Sequence, residues 1–384
     1  MKIESTFSSD VDSLGISMLE ITPDQDSPKA VVQLVHGICE YKERYIPFME
    51  YLSEHGIASV IHDHRGHGKS VLRPEHLGYM YGGRGDALIR DIEKVNRMTR
   101  EKYPDTPLIL LGHSMGALAV LAFTACHDDR IDGLVVTGNV AKLNTRLIAS
   151  VAAQLHALLR SRKHPSRTLT ALSFSGYAKK FPEGSPFSWL CSDPEVVKAY
   201  EEDPLCGFRF TNDGFVALLD LLKAAYNESG YVCTNSNLPI LFLSGEDDPC
   251  TIDPAHFAAA MDSVRRAGYV DISGKMYPGM RHEILNETGK LEVYEDILNW
   301  MEQKILLCAE EQADPEAAET DTEAPADPDD EAEAPADPDD ETEAPADPGI
   351  AAEGQAAPEI ETEDRMVLDS GSETLTKEVS FTNE

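Results

Sequence analysis

A serine held between two glycines, Gly112-His113-Ser114-Met115-Gly116, is the strongest chemical signal in the chain. The apolar run Leu108–Leu111 leads straight into it, and the small apolar stretch Ala117-Leu118-Ala119-Val120-Leu121-Ala122 follows. Strand, sharp turn, helix is the context in which a Gly-x-Ser-x-Gly turn lifts its hydroxyl clear of a sheet. Gly112 and Gly116 are small where strand and helix crowd together, and the turn strains the backbone at Ser114. A neutral alcohol is a weak nucleophile, so it needs a base, and the base needs an orienting group. His282 stands in the loop Pro278-Gly279-Met280-Arg281-His282-Glu283, behind the apolar run Val270–Tyr277. Two carboxylates, Asp247 and Asp248, stand in the turn behind Ile240–Ser244. Serine, acid, histidine is one of the known chain orders for such a triad. The neighbouring Glu283 either begins the next helix or bonds locally to fix the loop.

Acyl transfer also needs N–H donors for a developing oxyanion. The backbone N–H of Met115, next after the nucleophile, is the first candidate. The run Val31–Val35 ends in His36-Gly37-Ile38, where Gly37 permits close backbone approach and the Ile38 N–H is the second candidate. A rival chemistry lies in His62-Asp63-His64-Arg65-Gly66-His67, whose His-x-His-x-x-His spacing is similar to that of metallo-β-lactamase-like hydrolases. That motif carries Asp before its last His, where this chain has Gly66. The expectation is therefore a turn after a strand, with Asp63 and Arg65 pairing locally, and neither metal nor cofactor.

Elements must bring these residues together. Ala30–Val35, Ala58–His62, Leu108–Leu111, Gly133–Thr137, Ile240–Ser244 and Val270–Tyr277 read as strands. Asp86–Lys102 places Leu88, Ile89, Ile92, Val95 and Met98 on one helical face, and Pro254–Ala267 and Leu291–Gln303 are further helices. Such alternation predicts an α/β fold with a mostly parallel central sheet flanked by helices. The more polar Lys2–Phe7 and Ile16–Ile21 form an antiparallel edge. The rhythm stops between Asn139 and Leu238, where a largely helical insert, clearest at Leu147–Leu159, should sit above the strand ends. The organisation expected is a core from 1–138 and 239–308, a cap from 139–238, and a tail from 309–384.

Charge divides the chain unevenly. Its net charge is −35, yet residues 310–384 hold 27 Asp/Glu against only Arg365 and Lys377. Glu-Ala-Pro-Ala-Asp-Pro recurs there at 323, 333 and 343. Dense like charge and proline leave nothing to bury, so the tail reads as disordered. So acidic a chain argues against nucleic acid as a partner, because phosphate recognition is built on clustered cations. The seven cysteines are scattered without a Cys-x-x-Cys pair. The start has no apolar signal-like core, and no apolar run reaches the length of a membrane span. A cytoplasmic protein with reduced thiols is the expectation. Residues 139–182 reverse the balance, with eight Lys/Arg and no Asp or Glu. With the apolar stripe Leu147, Ile148, Val151, Leu155, Leu158 and Leu159 beside them, they read either as a core-facing helix with a solvated basic face or as a basic cap that contacts anionic lipid surfaces transiently.

His36-Gly37-Ile38-Cys39-Glu40 with Glu43-Arg44-Tyr45, Asp63-His64-Arg65-Gly66-His67-Gly68-Lys69-Ser70, Gly112–Gly116, Ser244–Pro249 and His282–Glu287 stand in one register. Over roughly residues 10–305 this pattern resembles the monoacylglycerol lipase/lysophospholipase, serine aminopeptidase-like branch of the α/β-hydrolase superfamily. The resemblance implies the α/β-hydrolase fold with a helical cap over an acyl-chain pocket. It also implies a Ser114–Asp248–His282 triad, choosing Asp248 over Asp247, with oxyanion donors at Ile38 and Met115 supported by His36, Gly37, Gly112 and Gly116. Ala117 departs from it, where many relatives carry a further glycine, which alters helix–strand packing more than chemistry. The implied activity is hydrolysis of a small lipid ester, a monoacylglycerol or lysophospholipid, through an acyl-enzyme. The alternatives are a serine aminopeptidase-type enzyme, which would call for an acidic amine-binding patch, and a non-catalytic binding module, which would be expected to lose a triad member. Phe174, Phe187, Trp189 and Phe208 are available to line an apolar tunnel.

Overall fold

The computed structural model describes residues 1–307 except 26, 143–159, 175 and 183. The expected helix Leu147–Leu159 with its apolar stripe, and the tail from 309, lie outside the described residues. Eight strands form one sheet in the order β1-β2-β4-β3-β5-β6-β7-β8. They are β1 (Lys2–Ser8), β2 (Gly15–Ile21), β3 (Val31–Val35), β4 (Ala58–His62), β5 (Leu108–His113), β6 (Gly133–Thr137), β7 (Ile240–Gly245) and β8 (Ile272–Tyr277). The polar opening runs form the antiparallel edge: β1 pairs with β2 from Lys2↔Ile21 to Ser8↔Gly15, and β2 runs antiparallel to β4. All other pairings are parallel. Strands β3 to β7 are buried along their whole length. Near-continuous apolar strands are what a parallel sheet covered on both faces requires. Two expected strands shorten at their starts: Ala30–Val35 begins at Val31, and Val270–Tyr277 begins at Ile272, leaving Val270 at the surface, 69% exposed.

Helices α1 (Ile46–Glu54), α2 (Arg84–Lys102) and α3 (Met115–His127) cover the first half of the sheet. The insert contributes α4 (Arg167–Phe174), α5 (Pro194–Glu202) and α6 (Asn212–Ala225), and the chain ends its core with α7 (Pro254–Arg266) and α8 (Lys290–Met301). α3 is apolar on all sides because β5, β6, α2 and α6 surround it. One core cluster gathers α2, α3, α6 and α7 on one face, with Leu88, Phe123, Leu221 and Phe257; the other packs α1 and α8 on the opposite face, with Phe48, Leu52, Ile297 and Met301. Each such side chain contributes about 1.5–3 kcal/mol on burial. The insert is thus not one layer. α6 joins the core beside α2 and α3, whereas Trp189, Leu190 and Tyr200 form a separate cluster with Phe174, Phe181 and Phe187. Parallel pairing brings the carboxyl ends of β3, β5, β6, β7 and β8 to one edge, and Ile38, Ser114, Asp248 and His282 follow four of those ends.

Candidate active site

Ser114 sits between β5 and α3 with φ +56° and ψ −115°. A non-glycine residue there carries on the order of 1–3 kcal/mol of strain, which the surroundings must hold. They do so by close approach. A Cβ on Gly116 would run into the carbonyl oxygens of Val35 and His36, and one on Gly112 would meet the Gly116 carbonyl and Val120. The Ser114 N–H donates to the Thr137 carbonyl at 3.0 Å, tying the turn to β6.

The residues predicted to converge do so. His282 Nε2 lies 2.8 Å from Ser114 Oγ, and His282 Nδ1 lies 2.9 Å from Asp248 Oδ2. All three are buried. Of the two adjacent carboxylates, Asp247 is exposed and Asp248 faces inward. Asp248 Oδ1 accepts the Cys250 N–H at 2.7 Å, and Oδ2 also accepts from the Thr251 hydroxyl at 3.2 Å. Burial alone would raise the Asp248 pKa, but the His282 imidazole and these donors hold it below the usual carboxylate value. Burial alone would likewise depress His282, but the Asp248 carboxylate outweighs it and lifts the imidazole well above its ordinary value. His113, whose ring stands 4.7 Å from that of His282, is pulled down to about 3 by burial, and the nearby imidazole adds to this.

The loop after β3 lies against Ser114. A Cβ on Gly37 would come within 3.2 Å of Ser114 Cβ, and Ile38 lines the same cavity as Ser114. Met115 is the first residue of α3, so its N–H is among the donors that a helix leaves free at its start. His36 braces the loop: its Nδ1–H donates to the Gly37 carbonyl at 2.8 Å, and its Nε2 accepts the His64 N–H at 2.9 Å.

Several residues that hold the site were not visible as such in the sequence. Glu40 Oε1 accepts the Gly37 N–H at 2.6 Å and the Tyr45 hydroxyl at 2.9 Å. Arg44 bridges Glu40 and Glu283, with a bidentate pair to Glu283 at 2.7 and 2.6 Å and a bond to Glu40 at 2.7 Å. Local fixing of the His282 loop by Glu283 is therefore only part of its role, because its main partner comes from the loop after β3. The insert grips the same loop: Glu283 N–H donates to the Leu190 carbonyl at 2.7 Å, and the Trp189 ring stands 5.1 Å from His282. Cys250 Sγ is 3.9 Å from His282 Nε2, and burial pushes its thiol pKa up. The motif Glu40-x-x-x-Arg44 was the available signal, but its partner at 283 is beyond local reach.

The segment His62–His67 is a buried turn, and its pairing differs from expectation. Asp63 pairs with Lys42 at 2.9 Å, and Arg65 pairs with Asp91 at 2.9 Å and Asp12 at 2.9 Å, not with Asp63. Each finds its partner on a different element: Lys42 lies after β3, and Asp91 lies on α2. Among the described residues, the only three His, Cys or carboxylate side chains with donor atoms gathered within 4.8 Å are Asp248, Cys250 and His282.

Ser114 and His282 open onto a cavity of about 260 Å³. Phe174, Phe187, Trp189 and Phe208 all line it, together with Tyr200 and Phe210. Its wall is mostly apolar, with Ser114, His282, His113, Thr170, Arg209 and the Glu40 and Glu283 carboxylates that Arg44 holds as its polar members. Among the described residues no helix is long and apolar enough to cross a membrane.

The chain is 27% identical over 280 residues to the monoacylglycerol lipase of Mycolicibacterium smegmatis, covering 73% of this chain and 90% of that protein. It is 26% identical over 282 residues to the monoglyceride lipase of Mus musculus, covering 73% and 84%. Among solved structures, a lipase in its open form superposes with a TM-score of 0.70 at 24% identity, over 79% of this chain and 99% of that one. A soluble variant of monoglyceride lipase from Saccharomyces cerevisiae gives 0.62 at 21%, over 78% and 96%. These structures share the α/β-hydrolase fold. Residues 26–289 match the family described as serine aminopeptidase, S33. With its eight-stranded, mostly parallel sheet and its likeness to monoacylglycerol lipases, this chain belongs to that family of α/β hydrolases.

Proposed function

We propose that this hydrolase is a serine carboxylic-ester hydrolase that cleaves monoacylglycerols or lysophospholipids through an acyl-enzyme. The supporting observation is the hydrogen-bonded row Ser114–His282–Asp248 at the floor of an aromatic-walled cavity. Ser114 Oγ attacks the ester carbonyl as its proton passes to His282 Nε2. The Asp248 carboxylate holds Nδ1–H and stabilises the imidazolium. The carbonyl oxygen, now an anion, is received by the N–H groups of Ile38 and Met115. Each such donor is worth about 3–4 kcal/mol of barrier. The C–O bond to the leaving alcohol breaks as His282 returns its proton to that oxygen. Water then attacks the acyl-enzyme, gives its proton to His282, and Ser114 leaves with it, releasing the fatty acid.

An aminopeptidase reading would need a carboxylate free to hold a substrate amine. Glu40 and Glu283, which line the cavity, are both engaged by Arg44. A fluorophosphonate probe should label Ser114, and Ser114→Ala should abolish labelling and lower ester turnover by several orders of magnitude. Full turnover by Ser114→Ala on a panel of monoacylglycerols, lysophospholipids and p-nitrophenyl esters would overturn the assignment.

A further inference from the structure

Beside the catalytic cavity lies a second one of a different character. It measures about 370 Å³ and is lined by Arg160, His164, Pro165, Arg167, Thr168 and Arg209. Its construction is specific. Pro165 and Thr211 form an antiparallel bridge, with the Ser166 N–H donating to the Phe210 carbonyl and the Asn212 N–H to the His164 carbonyl, each at 3.0 Å. That bridge sets Arg209 beside Arg167 at the start of α4. None of the three guanidinium groups has a carboxylate partner among the described residues; Arg160 reaches only the His164 ring, at 3.4 Å. Two other cations of the insert do have carboxylate partners: Lys142 pairs with Glu228 at 2.6 Å and Arg162 with Asp213 at 3.8 Å. Three exposed guanidinium groups that line one groove with no carboxylate partner among the described residues give it a positive field that favours an anion.

The two cavities share a wall. Thr168 on α4 faces the arginine groove, whereas Thr170, Ala171 and Phe174 of the same helix face the catalytic cavity. Arg209 lines both, and its neighbours Phe208 and Phe210 line the catalytic side. One side is thus apolar and aromatic and the other cationic, which matches an amphiphile with one acyl chain and an anionic head. We infer that the Arg160–Arg167–Arg209 groove binds the phosphate of the ester substrate's headgroup, so that the substrate class is a monoacyl glycerophosphate rather than a neutral monoacylglycerol. This rests on the hydrolase reading above and narrows it. Guanidinium forks bind phosphate oxygens in pairs with a geometry that an uncharged glycerol cannot use.

The test compares 1-octanoyl glycerol 3-phosphate with 1-octanoylglycerol, both as monomers in solution, using the full chain. The phosphate ester should be favoured in kcat/KM by about tenfold or more, and the preference should shrink as salt screens the groove. Arg160→Gln/Arg167→Gln should lower the ratio of the two kcat/KM values about tenfold, mainly through KM of the phosphate ester. Arg167→Glu should invert the preference, and Arg167→Lys should restore part of it. Inorganic phosphate alone should compete with the phosphate ester at millimolar levels and lose that effect in the double variant. A wild-type preference for the neutral ester, or equal losses on both esters, overturns the inference. Binding to phosphatidylglycerol vesicles that falls in the double variant, with the monomer ratio unchanged, assigns the arginines to a lipid surface and also overturns it. Inhibition by inorganic phosphate without turnover of the phosphate ester makes the groove a free-anion site and does the same. If neither ester is turned over in a Ser114-dependent way, the hydrolase reading fails instead, and that outcome is distinct from all of these.

Discussion

In the proposed mechanism the pair Asp248–His282 sets how Ser114 responds to pH. The carboxylate raises the imidazole pKa, and catalysis requires the neutral imidazole as base, so activity is lost as pH falls through that raised value. Asp248→Asn removes the cause of the rise. Burial then dominates, and the acid limb of kcat/KM should move to lower pH. The plateau should fall on the order of 10³–10⁴-fold, because the asparagine no longer holds the productive tautomer. A pH–rate profile checks both, and an unmoved acid limb would mean that another group titrates there. Ser114→Ala, by contrast, should leave the fold intact while removing turnover, because it deletes only the hydroxyl. Its chemical denaturation midpoint should match the parent.

Between elements, the Glu40–Arg44–Glu283 bridge joins the loop after β3, which carries the candidate oxyanion donor, to the loop after β8, which carries the candidate base. Burial raises the Glu40 pKa, whereas Arg44 outweighs burial at Glu283 and holds it below its ordinary value. Arg44→Gln leaves two buried carboxylates facing each other, and breaking such a pair from one side costs about 3–5 kcal/mol. The sign of the pH dependence follows. With Arg44 present, stability from Glu283 is retained at neutral pH and lost as pH falls through its depressed value. Without Arg44, burial raises both carboxylates, so stability is regained as they protonate. The Tm of Arg44→Gln should therefore rise on going from about pH 8 to about pH 5, a range over which Glu283, still ionised, imposes no trend on the parent. Arg44→Lys should recover charge but not the fork, and so part of the stability and less of kcat. A Tm for Arg44→Gln that falls over that range would show that the bridge does not carry this linkage.

For the whole molecule, the dominant quantity is a net charge of −35, most of it in residues 310–384. A field of that size repels anionic lipid particles at long range and is screened within about 10 Å at 0.1 M salt. Removing residues 309–384 should raise kcat/KM on anionic mixed micelles at low ionic strength and have little effect at high salt. Equal effects at both would show that the tail does not act through its charge.

Local chemistry explains what could be read before any fold was known. The strand–Gly-x-Ser-x-Gly–helix signal at Ser114, the alternation of buried strands with amphipathic helices, and the polar β1–β2 edge are all written in the local pattern of each segment, so sequence alone determined them. Tertiary structure decided what depends on which side of a turn faces inward or on partners far along the chain. Asp248 is buried and Asp247 exposed, although both stand in one acidic turn. Arg65 finds Asp91 and Asp12, and Arg44 finds Glu283 across 239 positions. α6 has the same amphipathic pattern whether it caps the site or joins α2 and α3, and only the packed core selects the second. Hydrophobic periodicity says that a face must be covered; which partner covers it is set by long-range packing, which a linear pattern does not encode.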